Sequence, residues 1–474
     1  MSTNLLPINP QALRRVWAVV CSSALLLTLA LPAPAGGDKD RPTPGKHRPI
    51  IYPIKSRPFG KSYGNWGAAW WNWVLGIPKA QNPNFDPTGE FAHVGQDGPV
   101  FFLAGNFGGV NQRSATVPAG KAIFFPILNN VYWAPEDLAF VKDVIAPSQG
   151  WNVTGLSDTE ILRMGVNWAT DHATSLSVTI DGVPVKDPWQ YRADSDPFTL
   201  ELSDALADFG YPAGPRTPSV SDGYWIMLRP LSPGKHTIRF TSTGRYSVAD
   251  GDPFDQDFSL DVTYHLKVVR PAHIARPNSR PYGKSYARWS AEFWKTGIEL
   301  PVAGNPLVEG GCGELSGRVM FLAAPITSST ISCTVPAGTA LFVPALTVEC
   351  SSLEPPESGF HGDTEEEQAE CATYWSDHIV NPSVDIDGLP VPNIASYRVV
   401  SPQFEFTAPD PNILLVPGGG PGTAVADGYY LMVSPLSRGT HTIRVRGALR
   451  FSVAAGDPFD LDLSNDVLFN ITVE

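Results

Sequence analysis

Two adjacent aspartate–histidine pairs are the first candidates for catalysis, because each combines a titratable ring with a carboxylate. Asp171 and His172 lie in the first half of the chain, and Asp377 and His378 lie at the matching place in the second half. A histidine oriented by a carboxylate is a common general base. A requirement of folding explains the same recurrence equally well. The sequence contains no H-E-x-x-H metal motif and no phosphate-binding P-loop that would favour catalysis.

An acid-rich loop near the end of each half is the candidate metal site. Calcium takes six to eight oxygen ligands, often carboxylates of one loop together with backbone carbonyls. The spacing differs from that of an EF-hand. The Gly-Asp-Pro sequence in each loop alternatively indicates a tight turn closed by side-chain to backbone hydrogen bonds. The candidate calcium ligands are Asp252, Asp255, Asp257, Asp457, Asp460 and Asp462.

Tryptophan is abundant, with 13 residues in the chain. Aromatic ring faces stack on the apolar faces of sugars, and loops on a rigid scaffold commonly carry binding residues. Trp133, Trp151 and Trp189 have no tryptophan at the aligned positions of the second half, so we predict that they bind a ligand in the first half. The alternative is that they fill the core, as we expect for the tryptophans of the first helix.

Four cysteines lie in the second half of the chain and have no counterparts in the first. An even number of cysteines in an exported protein favours disulfides. Cys312 and Cys333 align at or near alanines of the first half, and their joint absence there suggests that they pair with each other. Cys350 and Cys371 then pair by elimination. A four-cysteine zinc site is the alternative, but the closely spaced pairs typical of such sites are absent.

The chain repeats its own motifs in the same order. TVPAGKAIFFPIL begins at Thr116 and recurs as TVPAGTALFVPAL from Thr334, and SDGYWIML begins at Ser221 and recurs as ADGYYLMV from Ala426. The repeating unit is far longer than that of a solenoid. We therefore predict two tandem homologous domains, residues 57–270 and 280–474, joined by a linker at 271–279.

Each repeat combines an amphipathic helix with many short strands. Tyr63, Trp66, Trp70 and Trp71 occupy one face of a predicted helix, and a second helix is predicted from the capping-box pattern that begins at Ser157. The remaining segments alternate apolar and polar residues between turn signals. This pattern predicts a mainly β fold of two β-sandwich, jelly-roll-like domains, each with about two helices.

The N-terminus has the features of an export signal. Arg14 and Arg15 precede an apolar run, and the small residues Ala33 and Ala35 follow it. The run is shorter than the roughly 20 residues that span a bilayer. We therefore predict a signal peptide over 1–35, a Pro-rich linker over 36–56 and no transmembrane anchor after cleavage. The mature protein is expected to be secreted, or to reside in the periplasm or cell envelope.

Charge and composition narrow the function classes. The net charge is −13 and no basic cluster is present, so a nucleic-acid partner is excluded. Three hypotheses fit an exported β-sandwich with surplus aromatics in one half. The first is a non-catalytic module that binds a surface or extracellular polymer such as a polysaccharide. The others are a polysaccharide hydrolase or lyase, and a structural component of an envelope or extracellular assembly. Calcium is the one cofactor for which the sequence offers candidate ligands, the aspartates of the acid-rich loops.

Overall fold

The fold is described from a computed structural model that covers residues 51–325 and 328–474. The chain divides after Arg270 into two compact units. The predicted signal peptide and residues 36–50 of the predicted linker lie outside the described residues. Among the helices of the described ranges, none is long and apolar enough to cross a membrane.

Two sheets form the first unit, and they bear out the predicted mainly β fold. The first sheet has the strand order β1-β3-β8-β6, with β7 also paired to β8, and the second has the order β2-β10-β9-β4-β5. The pairs β1–β3 and β2–β10 are parallel, and the other pairs are antiparallel. The strands are β1 Val100–Phe102, β2 Gly109–Pro118, β3 Ala122–Trp133, β4 Ala173–Ile180, β5 Val183–Pro184, β6 Arg192–Asp194, β7 Phe198–Leu202, β8 Gly214–Leu228, β9 Gly234–Tyr246 and β10 Gln256–Val269.

The first sheet is buried on both faces, which explains its nearly continuous apolar sequences. Phe124 and Trp225 stack with ring centroids 5.1 Å apart and pack on the first helix. Their neighbours Phe125 and Ile226 face the second sheet and form the core of the sandwich. The second sheet has one exposed face, so strands such as β10 alternate buried and exposed residues. The first unit therefore has three layers: helix, sheet and sheet.

Helices begin where the sequence predicts them. Ser62 caps α1 by accepting a hydrogen bond from the Asn65 amide, and Ser157 and Glu160 form a capping box at the start of α4. Two short helices and a π-helical turn, Val141–Ile145, precede α4. The helices of the first unit are α1 Tyr63–Gly76, α2 Glu136–Phe140, α3 Ala146–Ser148 and α4 Asp158–Asp171.

The second unit has the same arrangement of strands with one addition, a strand that pairs antiparallel at the outer edge of the first sheet. Its sheets have the orders β11-β12-β14-β19-β17, with β18 paired to β19, and β13-β21-β20-β15-β16. The strands are β11 Gly311–Ser316, β12 Val319–Ala323, β13 Ser329–Val335, β14 Ala340–Ser351, β15 Ile379–Ile386, β16 Leu389–Pro390, β17 Arg398–Val400, β18 Phe404–Ala408, β19 Gly420–Val433, β20 Gly439–Phe451 and β21 Leu461–Val473. The helices are α5 Tyr286–Glu299, α6 Pro306–Glu309 and α7 Glu365–Asp377.

Both predicted disulfides are confirmed. Cys312 pairs with Cys333, and Cys350 pairs with Cys371, with Cα atoms about 6 Å apart in each pair. The first bond joins the edge strand β11 to β13 of the opposite sheet, and the second joins β14 to α7. Disulfides persist in oxidising compartments, so the two bonds agree with an extracellular protein.

Candidate functional site

The aspartate–histidine pair of the first unit lies at the end of α4, and its two side chains have different partners. His172 contacts the Trp168 carbonyl oxygen through Nδ1 at 2.7 Å and Asp252 Oδ1 through Nε2 at 2.9 Å. Asp171 instead binds Arg192 at 2.5 Å. The carboxylate next to His172 in the sequence is therefore not the one that orients it.

The second unit repeats these contacts. His378 contacts the Tyr374 carbonyl oxygen at 2.7 Å and Asp457 Oδ1 at 3.0 Å, and Asp377 binds Arg398 at 2.7 Å. In each unit the imidazole joins the end of a helix to the loop before the last strand. Neither ring nitrogen is left to take a proton from a substrate, so the geometry favours the structural alternative for both pairs.

The arginine of each network also reaches a deeply buried aspartate. Arg192 binds Asp222 at 2.6 Å, and Arg398 binds Asp427 at 2.6 Å. Burial raises the pKa of Asp222, and the hydrogen bonds from Arg192 oppose that rise. The same causes act in the same order at Asp427. These ion pairs fix the middle of the long strands β8 and β19 in both units.

The acidic loops use their carboxylates to close turns. The Asp252 carboxylate accepts a hydrogen bond from the Ser247 amide at 2.7 Å, and the Asp255 carboxylate accepts one from the Val248 amide at 2.9 Å. In the second unit, Asp457 accepts the equivalent hydrogen bond from the Ser452 amide, and Asp460 accepts one from the Val453 amide. Asp462 forms an ion pair with Arg450 at 3.2 Å.

No calcium site is assembled from these residues in the part of the chain that the structure describes. Three or more side chains of histidine, cysteine, aspartate or glutamate never gather there in a geometry that would hold a metal ion. A backbone amide already occupies one carboxylate oxygen of Asp252 and one of Asp255. The calcium site, including Asp257, thus remains a prediction from sequence for which the donor geometry gives no support.

A serine within a G-x-S-x-G spacing, Gly60–Gly64, also has a structural role. The Ser62 hydroxyl oxygen accepts the Asn65 amide at 3.2 Å as the N-cap of α1. Ser285 caps α5 in the same way without the second glycine. A nucleophilic serine would require a base beside it. The repeated cap accounts for both serines.

The three predicted sugar-binding tryptophans do not form one surface. Trp189 is 40% exposed and packs edge-on against Tyr224. Trp151 is half-buried beside the α4 core. Trp133 is only 5% exposed, contrary to the expectation that it is accessible, because it packs against Tyr211 in the core below α1.

A pocket beside the C-terminal half of β3 brings Trp133 together with three tryptophans that the sequence did not single out as ligand-binding: Trp70, Trp71 and Trp168. This β3 pocket has a volume of about 210 Å³. Its wall includes Trp71 of α1, Trp133 of β3, Trp168 of α4, Ser242 of β9 and Phe258 of β10. Both sheets and three helices, α1, α2 and α4, therefore contribute side chains to one aromatic pocket.

Several hydrogen-bond donors in the wall of the β3 pocket are buried and have no partner among the described residues. They are Nε1 of Trp71, Trp133 and Trp168, Nδ2 of Asn129 and the hydroxyl of Ser242. Buried donors are almost always paired, and each unpaired one costs about 1–3 kcal/mol. Trp225 Nε1 also lacks a partner, but it lies in the core below α1 and not in the pocket wall.

Other indoles of α1 and its counterpart α5 have ordinary partners. In α1, three tryptophans donate to carbonyl oxygens at 2.8–2.9 Å: Trp66, Trp70 and Trp73. Trp294 occupies the position of Trp71 in α5, and its Nε1 donates to Thr347 Oγ1 at 3.1 Å and to the Tyr430 hydroxyl at 3.3 Å. Among the described residues, the unpaired indole N–H groups thus all belong to the first unit.

Comparison with known proteins does not place the chain in a family. No family model matches it, and no curated protein matches it. Among solved structures, SporoSAG from Toxoplasma gondii is 10% identical, with 77% of this chain and 98% of that chain covered and a TM-score of 0.13. A multicopper oxidase from Campylobacter jejuni is 8% identical, with coverages of 76% and 55% and a TM-score of 0.09. Similarities of this size carry no argument about function, so the case rests on the β3 pocket.

Proposed function

We infer that the chain is an exported, non-catalytic module that binds an extracellular polysaccharide, and that the β3 pocket holds one of its sugar units. The observation that carries this proposal is the set of unpaired indole donors in an aromatic wall. A sugar ring has apolar faces that stack on aromatic rings and a rim of oxygens that accept hydrogen bonds. Trp71, Trp133 and Trp168 offer both kinds of contact in one pocket.

Export is supported by two independent features. The sequence of the first 35 residues predicts a cleaved signal peptide, and the second unit holds two disulfides. A binding role is favoured over catalysis because the repeated histidines, His172 and His378, already use both ring nitrogens within the fold. The β3 pocket itself supplies donors and aromatic faces, which bind a ligand without a general base.

Affinity gel electrophoresis tests this function with the full mature chain. The gels contain dextran, xylan, glucomannan or alginate, and migration is compared with that in a gel without polymer. We expect at least one polymer to retard the protein. Trp71→Phe should weaken this binding on the order of tenfold, because it removes one donor and part of a stacking face. Trp294→Phe is the matched control, since it alters the equivalent helix position outside the β3 pocket.

Two results would contradict the proposal. One is that none of the four polymers retards the wild-type protein. The other is that Trp71→Phe and Trp294→Phe migrate like the wild type in a gel that retards it. A thermal melt of each variant establishes that the protein is folded, because Trp71 is half-buried and its replacement by a smaller ring leaves a cavity.

A further inference from the structure

The second unit contains a separate cavity with an acidic interior. It has a volume of about 810 Å³, and its wall is mostly aliphatic and aromatic. Glu349 of β14 and Glu354 of the following loop are its acidic members, and the described wall holds no lysine, arginine or histidine. We call it the Glu349 cavity. Apolar walls around a pair of carboxyl groups are unusual, because burial of a charge without a partner is unfavourable.

Glu349 is a buried acid with one unpaired carboxylate oxygen, and Asn465 Oδ1 of the same wall is also unpaired. The Glu349 side chain is 6% exposed, and Oε2 has no hydrogen-bond partner among the described residues. Glu354 is 9% exposed and accepts the Ser351 hydroxyl at 3.0 Å. Burial raises the pKa of Glu349, and the neighbouring charge of Glu354 raises it further. An ionised Glu349 therefore requires a cation or a strong hydrogen-bond donor that the wall does not supply.

The fold does not require an acid at this position. Glu349 of β14 lies opposite Ala426 of β19, and the same register in the first unit places Val131 of β3 opposite Ser221 of β8. A valine thus fills the equivalent site of a sandwich with the same strand order. Replacing a valine by a buried glutamate lowers stability, so the acid is best explained by a ligand.

We propose that the Glu349 cavity binds an organic amine, with its ammonium group against Glu349 and Glu354 and its apolar body against the cavity wall. The body would contact Phe360 and Trp375, whose rings stack at 4.3 Å in the wall. A metal ion fits poorly, because it needs more oxygen ligands than two carboxyl groups provide. An ammonium has three donors and satisfies both carboxylates at once.

The disulfide beside this pair holds the site together. Cys350 directly follows Glu349, and its bond to Cys371 joins β14 to α7, which carries Trp375. The strand that carries Glu349 and the helix that carries Trp375 are thereby fixed relative to each other. This is the pre-organisation that binding of a small ligand requires.

Isothermal titration of the full mature protein tests the proposal with 2-phenylethylamine and its neutral analogue 2-phenylethanol. We expect the amine to bind on the order of tenfold or more tightly than the alcohol, as hydrogen bonds to a charged group predict. Glu349→Gln should abolish this preference, and Glu366→Gln, which removes an exposed acid of α7, should retain it. Binding should release protons to the solvent, because the Glu349 and Glu354 carboxyl groups lose protons when they pair with the ammonium group.

Equal affinity for the amine and the alcohol, or no saturable binding of the amine, would overturn the proposal. So would a Glu349→Gln variant that still prefers the amine while its melting curve shows a folded protein. Glu354→Gln gives a second route to the same answer if Glu349→Gln does not fold. Trp71→Phe should leave amine binding unchanged, because Trp71 lies outside the Glu349 cavity. A negative result in the amine test therefore does not affect the polysaccharide proposal, and the reverse also holds.

Discussion

Buried polar atoms without partners occur at different places in the two units. In the first unit they include indole and amide donors in the wall of the β3 pocket, and in the second they include the carboxylate oxygen of Glu349. Folding alone favours neither set, because each unpaired group lowers the stability of the folded state. Donors suit a ligand rich in acceptor oxygens, and a carboxylate suits a cation. The unpaired atoms therefore favour an oxygen-rich ligand in the β3 pocket and a cation in the Glu349 cavity.

Glu349→Gln is expected to stabilise the second unit at neutral pH. Burial raises the pKa of Glu349 in the folded state above its value in the unfolded chain. Below about pH 4 the group is protonated in both states, so variant and wild type should melt alike. As the pH rises, the unfolded chain ionises more readily than the folded protein, and the wild type loses stability. The variant should be more stable by about 1–3 kcal/mol at pH 8.

Urea unfolding at pH 4 and pH 8 measures this difference. Glu354, His361 and Asp363 are ionisable side chains close to the site, so the comparison is made between variant and wild type at each pH. Glu366→Gln serves as the control for removal of a charge. A Glu349→Gln variant that is less stable than the wild type at pH 8 would show that the carboxyl group has a partner within the fold.

At the scale of elements, histidines join segments that are distant in the sequence. His172 and His378 link the end of a helix to an acidic turn, and His236 and His441 link a strand to the turn of Asp181 or Asp387. In each case one ring nitrogen meets a carboxylate and the other meets a backbone carbonyl. A carbonyl accepts only, so at least one ring nitrogen must donate.

His172→Ala should lower the free energy of unfolding by about 1–3 kcal/mol, because it leaves the buried Asp252 carboxylate without one of its donors. Polysaccharide retardation should persist in the folded variant. His265→Ala, at an exposed position of β10, should change stability little. Chemical denaturation of the three proteins measures the effect. Equal unfolding midpoints for His172→Ala and the wild type would contradict a structural role.

The acidic loops are expected to be insensitive to calcium. Asp252 and Asp457 each accept a backbone amide and contact a histidine, so their oxygens are already used. The Ser452 amide lowers the pKa of Asp457 more than His378 does, and both favour the ionised form. The melting temperature should therefore be the same in excess calcium and in EDTA. A calcium-dependent rise that Asp252→Asn removes would restore the metal-site prediction.

Sequence patterns predicted the elements better than the pockets. The spacing of aromatics in α1, the capping box of α4 and the alternation of the strands each follow from one local periodicity, and the structure confirms them. The role of Trp71 in the pocket does not follow from this periodicity, because the same helix carries indoles with and without a hydrogen-bond acceptor. The structure separates them by the acceptor that each ring meets, such as the Pro58 carbonyl for Trp66 and the Leu103 carbonyl for Trp70, and these acceptors lie outside the helix.

The roles of Trp168 and Glu349 were also missed. Trp168 is one apolar residue among several in α4, and Glu349 lies near the end of the largely apolar strand β14. One signal was present in the sequence: alignment of the repeats places the acid of position 349 against Val131. An acid that replaces an apolar residue at a matched strand position is a candidate for function.

At the scale of the whole molecule, the two units share an architecture but differ in their disulfides and in the side chains that line their pockets. Within the described chain, only the second unit contains disulfides, and the β3 pocket of the first unit combines four tryptophans in its wall. A duplicated scaffold can carry different sites, because function depends on the side chains of the site and not on the fold. We therefore expect the two units to bind different ligands.

Reduction should affect only one unit. Each disulfide closes a loop with a sequence separation of 21 residues, which corresponds to about 3 kcal/mol of stabilisation in the chain-entropy model. Calorimetry with and without a reductant should therefore show one transition that shifts to lower temperature and one that does not. Replacement of Cys350 and Cys371 by serine should reproduce part of the shift. A reductant that moves both transitions equally would contradict independent stabilisation of the units.

The measurement that tests the central claim most directly is the NMR spectrum of the indole N–H groups in protein labelled with ¹⁵N-tryptophan. Substitution of single tryptophans assigns the signals of Trp71, Trp133 and Trp168. On addition of oligosaccharides from the polymer that retards the protein, these three signals should shift together, because their N–H groups gain acceptors. Unchanged pocket signals, with shifts confined to exposed Trp189 or to the second unit, would contradict sugar binding in the β3 pocket.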